Sequence, residues 1–155
     1  MKNEDKKIKS GPDWKVKKFK EECRLRGLRI TPQRIAIYTA LAEAKDHPTA
    51  DALHQRLLKK YPEISLDTVN RTLLTLADIG LALVVEGTGQ PRRFDADIDT
   101  HQHFICVKCK KIFDFKHKPF ENIRIPKKIE RKFKVIRRTV YMEGFCDACL
   151  KKTGR

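Results

Sequence analysis

The sequence predicts an α+β protein of two domains, a helical N-terminal domain that closes with a β-hairpin and a C-terminal domain of mixed helix and strand. Three features predict it: apolar residues repeat at helical spacing up to Gly80, a hairpin pattern follows, and β-type alternation with paired cysteines appears beyond Asp97. These changes place a basic flexible arm at 1–13, the first domain with its hinge at 14–97, and the second domain at 98–155.

The charge balance predicts the kind of partner. The chain of 155 residues has 35 Lys and Arg against 20 Asp and Glu, a formal net charge of +15. This excess favours a polyanion, and because no basic amphipathic helix with bulky apolar residues is present, nucleic acid is favoured over a lipid surface. The sequence also has no long apolar run and no secretory signal, so we expect a cytoplasmic protein without a membrane partner.

Three helices are predicted before residue 62. The first covers 14–25. The second begins at Pro32 with Thr31 as its N-cap, because Thr accepts from free backbone N–H groups and Pro fits the first helical turn. The third begins after Thr49 and ends before Pro62.

A fourth helix is predicted from the Ser65 N-cap to Gly80. Helical spacing assigns four apolar residues to its buried face: Leu66, Val69, Leu73 and Leu76. The same spacing assigns four residues to its outer face: Thr68, Arg71, Thr72 and Thr75.

A hairpin follows this helix. It combines an apolar strand at 81–86, a turn at 87–90 and a returning strand at 91–94 that carries Arg92 and Arg93. Helices followed by a two-stranded hairpin are the order of a winged helix-turn-helix domain, in which the last helix enters the major groove of double-stranded DNA. The outer face of the fourth helix and the two arginines are therefore the predicted DNA contacts.

The second domain reads as α+β. Its predicted strands lie at 101–107, 111–115 and 133–142. A helix at 119–125 is followed by Pro126 and then by a helical stretch at 127–131, so we expect the helix to be broken or kinked at the proline.

Four of the five cysteines form two pairs, Cys106-Val-Lys-Cys109 and Cys146-Asp-Ala-Cys149. In a reducing compartment such pairs indicate metal ligands, and two pairs close the tetrahedral shell of a structural zinc. A redox dithiol and an iron–sulfur cluster are the alternatives. Cys23 is predicted to be an ordinary free thiol.

A second set of metal-ligating residues is more dispersed. His101 and His103 alternate on a predicted strand, so their imidazoles project to the same side. His47, Asp95 and Asp114 each have an ordinary explanation, because a His before Pro commonly caps a helix and an Asp at a strand end commonly caps a turn. Together the five would supply three nitrogens and two oxygens from both domains.

These motifs resemble those of the ferric uptake regulator (Fur) family of metal-dependent bacterial repressors, over about residues 16–152. The resemblance lies in Arg29-Ile-Thr-Pro-Gln-Arg34, His47-Pro-Thr-Ala-Asp51, Ser65 to Leu73, Arg93-Phe-Asp95, His101-Gln-His-Phe-Ile-Cys-Val-Lys-Cys109, Lys111-Ile-Phe-Asp-Phe115 and Gly144-Phe-Cys-Asp-Ala-Cys149. It implies a homodimer on a palindromic operator, a C-terminal dimerisation domain, a structural Zn(2+) on the four paired cysteines and a regulatory metal at the hinge.

Within the family, aspartate at both carboxylate positions resembles the peroxide-sensing repressors. The implied ligands of the regulatory Fe(2+) or Mn(2+) are His47, Asp95, His101, His103 and Asp114. The resemblance also implies that peroxide acting on bound Fe(2+) oxidises His47 or His101 and so releases the DNA. A third metal site of some relatives is expected to be absent, because its positions hold Thr100, Gln102 and Arg138.

Asn70 stands where the family usually has a tyrosine in the recognition helix, so this DNA-facing position departs from the pattern.

Two alternatives to a peroxide-sensing repressor remain: an iron- or zinc-uptake repressor that uses the same site reversibly, and a zinc-ribbon nucleic-acid-binding adaptor. An enzyme is not expected, and no catalytic residues are predicted, because a zinc deaminase needs His-x-Glu before its cysteine pair and the sequence has none.

Overall fold

The computed structural model describes residues 12–152 and Gly154. The described chain forms two compact units. The first contains residues 12–85 and 90–98, and the second contains 86–89, 99–152 and Gly154. Most of the predicted arm at 1–13 lies outside the described residues, while Pro12 and Asp13 are part of the first helix.

Four helices form most of the first unit: α1 (Pro12–Leu25), α2 (Pro32–Glu43), α3 (Ala50–Leu58) and α4 (Leu66–Asp78). The three predicted N-caps are confirmed. Thr31 Oγ1 accepts from the Arg34 N–H at 3.2 Å, Thr49 Oγ1 from Ala52 at 3.1 Å, and Ser65 Oγ from Thr68 at 3.1 Å. Each cap satisfies a backbone donor that has no partner within its own helix, which fixes where the helix begins.

The core of this unit lies where the helices meet. The Phe19 ring of α1 stacks on Tyr38 of α2 with centroids 4.7 Å apart, and Leu53 and Leu73 are fully buried among their neighbours. Cys23 is 1% exposed in the same core. Burial raises the pKa of its thiol, so Cys23 is a neutral core side chain.

The prediction for the faces of α4 is wrong at two residues. Thr72 is 6% exposed and Leu66 is 42% exposed, the reverse of their predicted places. Thr72 lies three residues after Val69 and four before Leu76, so a helical period places it with the core side chains. Leu66 is the first residue of α4, where the helix has not yet reached the core.

The hairpin is shorter than predicted. It consists of β1 (Leu83–Val84) and β2 (Phe94–Asp95), which pair antiparallel with Val84 opposite Phe94. One further bond runs from the Val85 N–H to the Arg93 carbonyl at 2.9 Å. The other side of the returning segment is also occupied, because the Phe94 N–H donates to the Pro48 carbonyl at 3.0 Å.

The second unit is built on a three-stranded sheet of β3 (Gln102–Cys106), β4 (Ile112–Phe115) and β5 (Tyr141–Gly144). β3 lies in the centre, antiparallel to β4 and parallel to β5. Three short helices accompany it: α5 (Lys118–Glu121), α6 (Lys127–Glu130) and α7 (Asp147–Lys152). The predicted interruption is confirmed, since α5 and α6 are separate single turns and Pro126 is the N-cap of α6, but the helix predicted at 119–125 already ends at Glu121.

The predicted strand at 133–142 is wrong over most of its length. Only residues 141 and 142 are in β5, while Phe133 and Ile136 are well exposed. Alternation of apolar residues does not supply a hydrogen-bonding neighbour. Tyr141 pairs in parallel with His103, and β3 begins at Gln102, so the residues before Tyr141 lie beyond the start of the strand they would pair with. None of the helices described is long and apolar enough to cross a membrane.

Candidate metal centres and nucleic-acid interface

The four paired cysteines meet in the second unit. Cys106 ends β3, Cys109 lies in the turn to β4, Cys146 follows β5, and Cys149 lies in α7. The parallel register places Cys106 opposite Gly144, so the two segments that carry the pairs lie side by side. The four sulfurs all lie within 4.8 Å of one another.

These positions fit a zinc ion. A tetrahedral site with Zn–S bonds of about 2.3 Å separates its sulfurs by about 3.8 Å, and Cys109 Sγ lies 3.7 Å from Cys146 Sγ. The Cys146 N–H donates to Cys106 Sγ at 3.4 Å, which favours the thiolate form. Four sulfurs complete the shell and leave no position for a substrate, so the site suits a structural ion.

The first unit pairs two of the predicted regulatory ligands. His47 lies in the loop between α2 and α3 and is 4% exposed, and Asp95 ends β2. His47 Nε2 lies 3.2 Å from Asp95 Oδ2. The other oxygen, Asp95 Oδ1, accepts from the Asp97 N–H at 2.8 Å, which fixes the carboxylate.

The second unit gathers the other three. His101 Nε2 lies 3.0 Å from His103 Nε2, and Asp114 Oδ1 lies 3.4 Å from the latter. The β3–β4 register explains the grouping, because His103 is directly opposite Asp114. The His101 Nδ1–H donates to the Asp99 carbonyl at 2.7 Å, so Nε2 keeps its lone pair. Two imidazole nitrogens and a carboxylate this close fit a divalent cation.

The residues at the three positions of the third metal site have other contacts or no ionisable ligand atom. Gln102 is buried, and its Oε1 accepts from the His117 N–H at 2.8 Å. Arg138 donates to the Ile123 carbonyl. Thr100 is exposed and has no ionisable ligand atom.

The predicted recognition surface lies on α4. Asn70 and Arg71 are exposed, and Thr68 and Thr75 are half-buried, whereas Thr72 is buried as described above. A groove along this face is also lined by Arg29 and Arg34, which were not among the predicted DNA contacts. The signal that could have found them is their placement on either side of the Thr31 cap, where a five-residue interval brings Arg34 Nη1 to donate to the Arg29 carbonyl at 2.7 Å.

The two wing arginines have different surroundings. Arg92 is exposed, as a phosphate contact requires. The Arg93 guanidinium instead donates to the carbonyl oxygens of Asp46, at 2.6 Å, and His47.

Comparison with known proteins gives a consistent result. The model of the ferric uptake regulator family matches residues 25–143. The peroxide-responsive repressor of Staphylococcus epidermidis is 34% identical over 137 residues, which are 88% of this chain and 91% of that protein. The ferric uptake regulator of Helicobacter pylori has a similar structure, with a TM-score of 0.71 and 22% identity over 90% of this chain and 93% of its own.

A zinc uptake regulator solved with zinc and DNA is also similar, with a TM-score of 0.66 and 22% identity over 93% of this chain and 98% of its own. At these identities the likeness concerns the fold. It confirms the predicted fold class, an N-terminal winged helix-turn-helix domain followed by an α+β domain.

Proposed function

The chain belongs to the ferric uptake regulator family, and on that premise we propose that it is a metal-dependent transcriptional repressor that senses peroxide. Regulators of this family are transcription factors, so no enzymatic substrate is proposed. Its partner is double-stranded DNA. The proposed active form is a homodimer on a palindromic operator, since a protein of two-fold symmetry matches a site of the same symmetry.

Two metals are proposed for each subunit. Zn(2+) is held by Cys106, Cys109, Cys146 and Cys149. Fe(2+) or Mn(2+) is held by five side chains: His47, Asp95, His101, His103 and Asp114. The donor chemistry supports this set, since imidazole and carboxylate suit both ions and five ligands leave one octahedral position open. Two of these side chains, His47 and Asp95, belong to the first unit, and the other three belong to the second.

Peroxide sensitivity rests on one observation above all, the 34% identity to a peroxide-responsive repressor over nearly the whole chain, together with aspartate at both carboxylate positions. Bound Fe(2+) would supply the redox chemistry that cleaves the O–O bond of peroxide, without a net change in its own oxidation state. The net change on the protein is insertion of one peroxide oxygen into an imidazole C–H bond of His47 or His101, with the remainder leaving as water. Both imidazoles are nearly closed to solvent, which favours reaction with a ligand over escape of the oxidant.

The test uses operator duplexes selected from a random library with the Mn(2+)-loaded protein. The Fe(2+)-loaded protein should bind them and lose binding after a low dose of peroxide, with a mass gain of about 16 Da on a peptide that contains His47 or His101. The Mn(2+)-loaded protein should keep its DNA at the same dose.

The same experiment separates the alternatives. An iron- or zinc-uptake repressor would lose DNA when metal is removed and regain it on addition of metal, with both histidines unmodified. A zinc-ribbon adaptor would bind nucleic acid without any metal beyond the cysteine-bound zinc. Asp114→Ala provides the control, since it should abolish metal-dependent DNA binding and leave the zinc content unchanged.

A further inference from the structure

We propose that Arg93 is a positioning residue for His47, acting on the loop at 46–49 in place of the DNA contact predicted for it. The inference rests on the proposed function, in which His47 is a ligand of the regulatory metal. It concerns only residues of the first unit.

The contacts of Arg93 are directed at this loop. Its Nε–H donates to the His47 carbonyl, and a terminal N–H donates to the Asp46 carbonyl at 2.6 Å. Its backbone forms a β-bridge with Thr49, and the next residue, Phe94, donates to the Pro48 carbonyl. Arg93 and Phe94 therefore contact all four residues of the loop at 46–49, through side chain and main chain together.

His47 is the residue that needs this support. Its φ is 50°, in the left-handed region that side chains with a Cβ seldom occupy. A residue in this conformation persists where its surroundings hold it. The guanidinium holds the carbonyl of His47 while the Asp95 carboxylate lies against its imidazole, so β2 and the residue before it contact His47 at both ends.

The alternation of a strand explains the pairing. Arg93 and Asp95 are two residues apart, so their side chains project to the same side, toward the loop. The carboxylate of Asp46 is held by a different arginine, since Arg56 Nη1 donates to Asp46 Oδ1 at 3.0 Å. Arg93 thus fixes the backbone of the loop, and Arg56 fixes the outer side chain.

The planar fork of arginine is suited to two adjacent carbonyl oxygens. A lysine ammonium is a single point of charge and cannot span both with the same geometry. A phosphate contact on DNA would be largely kept by lysine. Arg93→Lys therefore separates the two roles of this residue.

The test compares Arg93→Ala, Arg93→Lys and the neighbouring Arg92→Ala in the full-length zinc-loaded protein. Mn(2+) affinity is measured by competition with a fluorescent chelator. Arg93→Ala should weaken it about 10- to 100-fold, the usual effect of losing a group that orients a ligand. Arg93→Lys should have a Mn(2+) affinity between those of Arg93→Ala and the wild type. Arg92→Ala should have the Mn(2+) affinity of the wild type.

A second readout needs no regulatory metal. Amide hydrogen exchange of a peptide covering 44–50 should be faster in Arg93→Ala than in the wild type, with α4 peptides unchanged, which would also show that the variant is folded. Wild-type Mn(2+) affinity in Arg93→Ala, with weaker DNA binding and a shallower salt dependence, would overturn the proposal. If the wild type itself binds no Mn(2+), the proposed function fails, and unchanged exchange at 44–50 would then reject the role of Arg93 separately.

Discussion

Cys106 and Cys149 differ in acidity although they share one cluster. Backbone N–H groups of Cys109 and Cys146 lower the pKa of Cys106 to about 6, and burial raises the pKa of Cys149 to about 12. In the metal-free protein near pH 7.5, Cys106 is therefore a thiolate and Cys149 a thiol. Cys106 can therefore bind a metal ion without losing a proton, whereas Cys149 must first be deprotonated.

Zinc binding should consequently release protons. The Cys149 proton must leave for its sulfur to bind, so at least one proton is released per zinc, and apparent zinc affinity should rise about tenfold or more per pH unit between 7 and 8. Chelator competition at a series of pH values measures this. Affinity that does not change over this range would show that Cys149 is not a ligand.

Arg71 and Arg92 are both exposed, yet they belong to different parts of the predicted DNA interface. Arg71→Ala should weaken binding to the selected operator more than to random duplex, because α4 reads base edges. Arg92→Ala should weaken both about equally and reduce the salt slope by about 1. Titrations at several salt concentrations compare them, and equal effects on both DNAs from both substitutions would mean that α4 is not the reading element.

At the level of elements, the start of α4 depends on the contact between its N-cap, Ser65, and Thr68. Ser65 Oγ accepts from the Thr68 N–H and lies 2.9 Å from Thr68 Oγ1, so the cap and a predicted DNA contact are linked. Loss of the cap leaves a backbone donor unsatisfied at the end of the helix that is expected to enter the groove.

Ser65→Ala should reduce the free energy of unfolding of the first unit by about 1 kcal/mol. Urea unfolding followed by fluorescence measures this, because Trp14 is the single tryptophan of the chain and lies in α1. Ser65→Asp keeps an acceptor and is the matched control. A destabilisation as large in Ser65→Asp as in Ser65→Ala would contradict the capping explanation.

The sequence predicted the elements whose signals are local. Thr31, Thr49 and Ser65 were identified as caps from residue type alone, and the cysteine pairs from their spacing. The position of Thr72 was missed because its polarity outweighed its place in the helical period. The length of β2 and the absence of a strand at 133–140 depend on which neighbouring segment offers hydrogen bonds. The side-chain contacts of Arg93 depend on the loop at 46–49, in which His47 is 46 residues away along the chain. Neither can be read from a short window of sequence.

For the molecule as a whole, the two units are stabilised differently. The first has an extensive core of aliphatic and aromatic side chains. In the second, Cys106, Cys146 and Cys149 themselves form a buried cluster, with Phe104 packed against it. The proposed zinc is therefore part of the packing of the second unit, and its loss removes ligation and core together.

Cys106→Ser should remove one zinc per subunit and unfold the second unit, and with it the proposed dimer. The first unit should keep its unfolding transition, because its core includes none of the paired cysteines. Metal analysis, sedimentation and Trp14 fluorescence test the three parts, with Cys23→Ala as a variant outside the cluster. A dimer with full zinc content would show that the four-cysteine assignment is wrong.

The burial of Cys23 has a practical consequence for chemical labelling. Thiol reagents attack accessible thiolates, and Cys23 is neither accessible nor ionised, while zinc would withhold the other four sulfurs. A protein with five cysteines would then be almost silent toward such reagents in its native form. Loss of the zinc would add four reactive thiols per subunit to the titration. The fifth thiol, Cys23, would react only when the first unit unfolds. One colourimetric assay would therefore report metal occupancy and unfolding as separate steps.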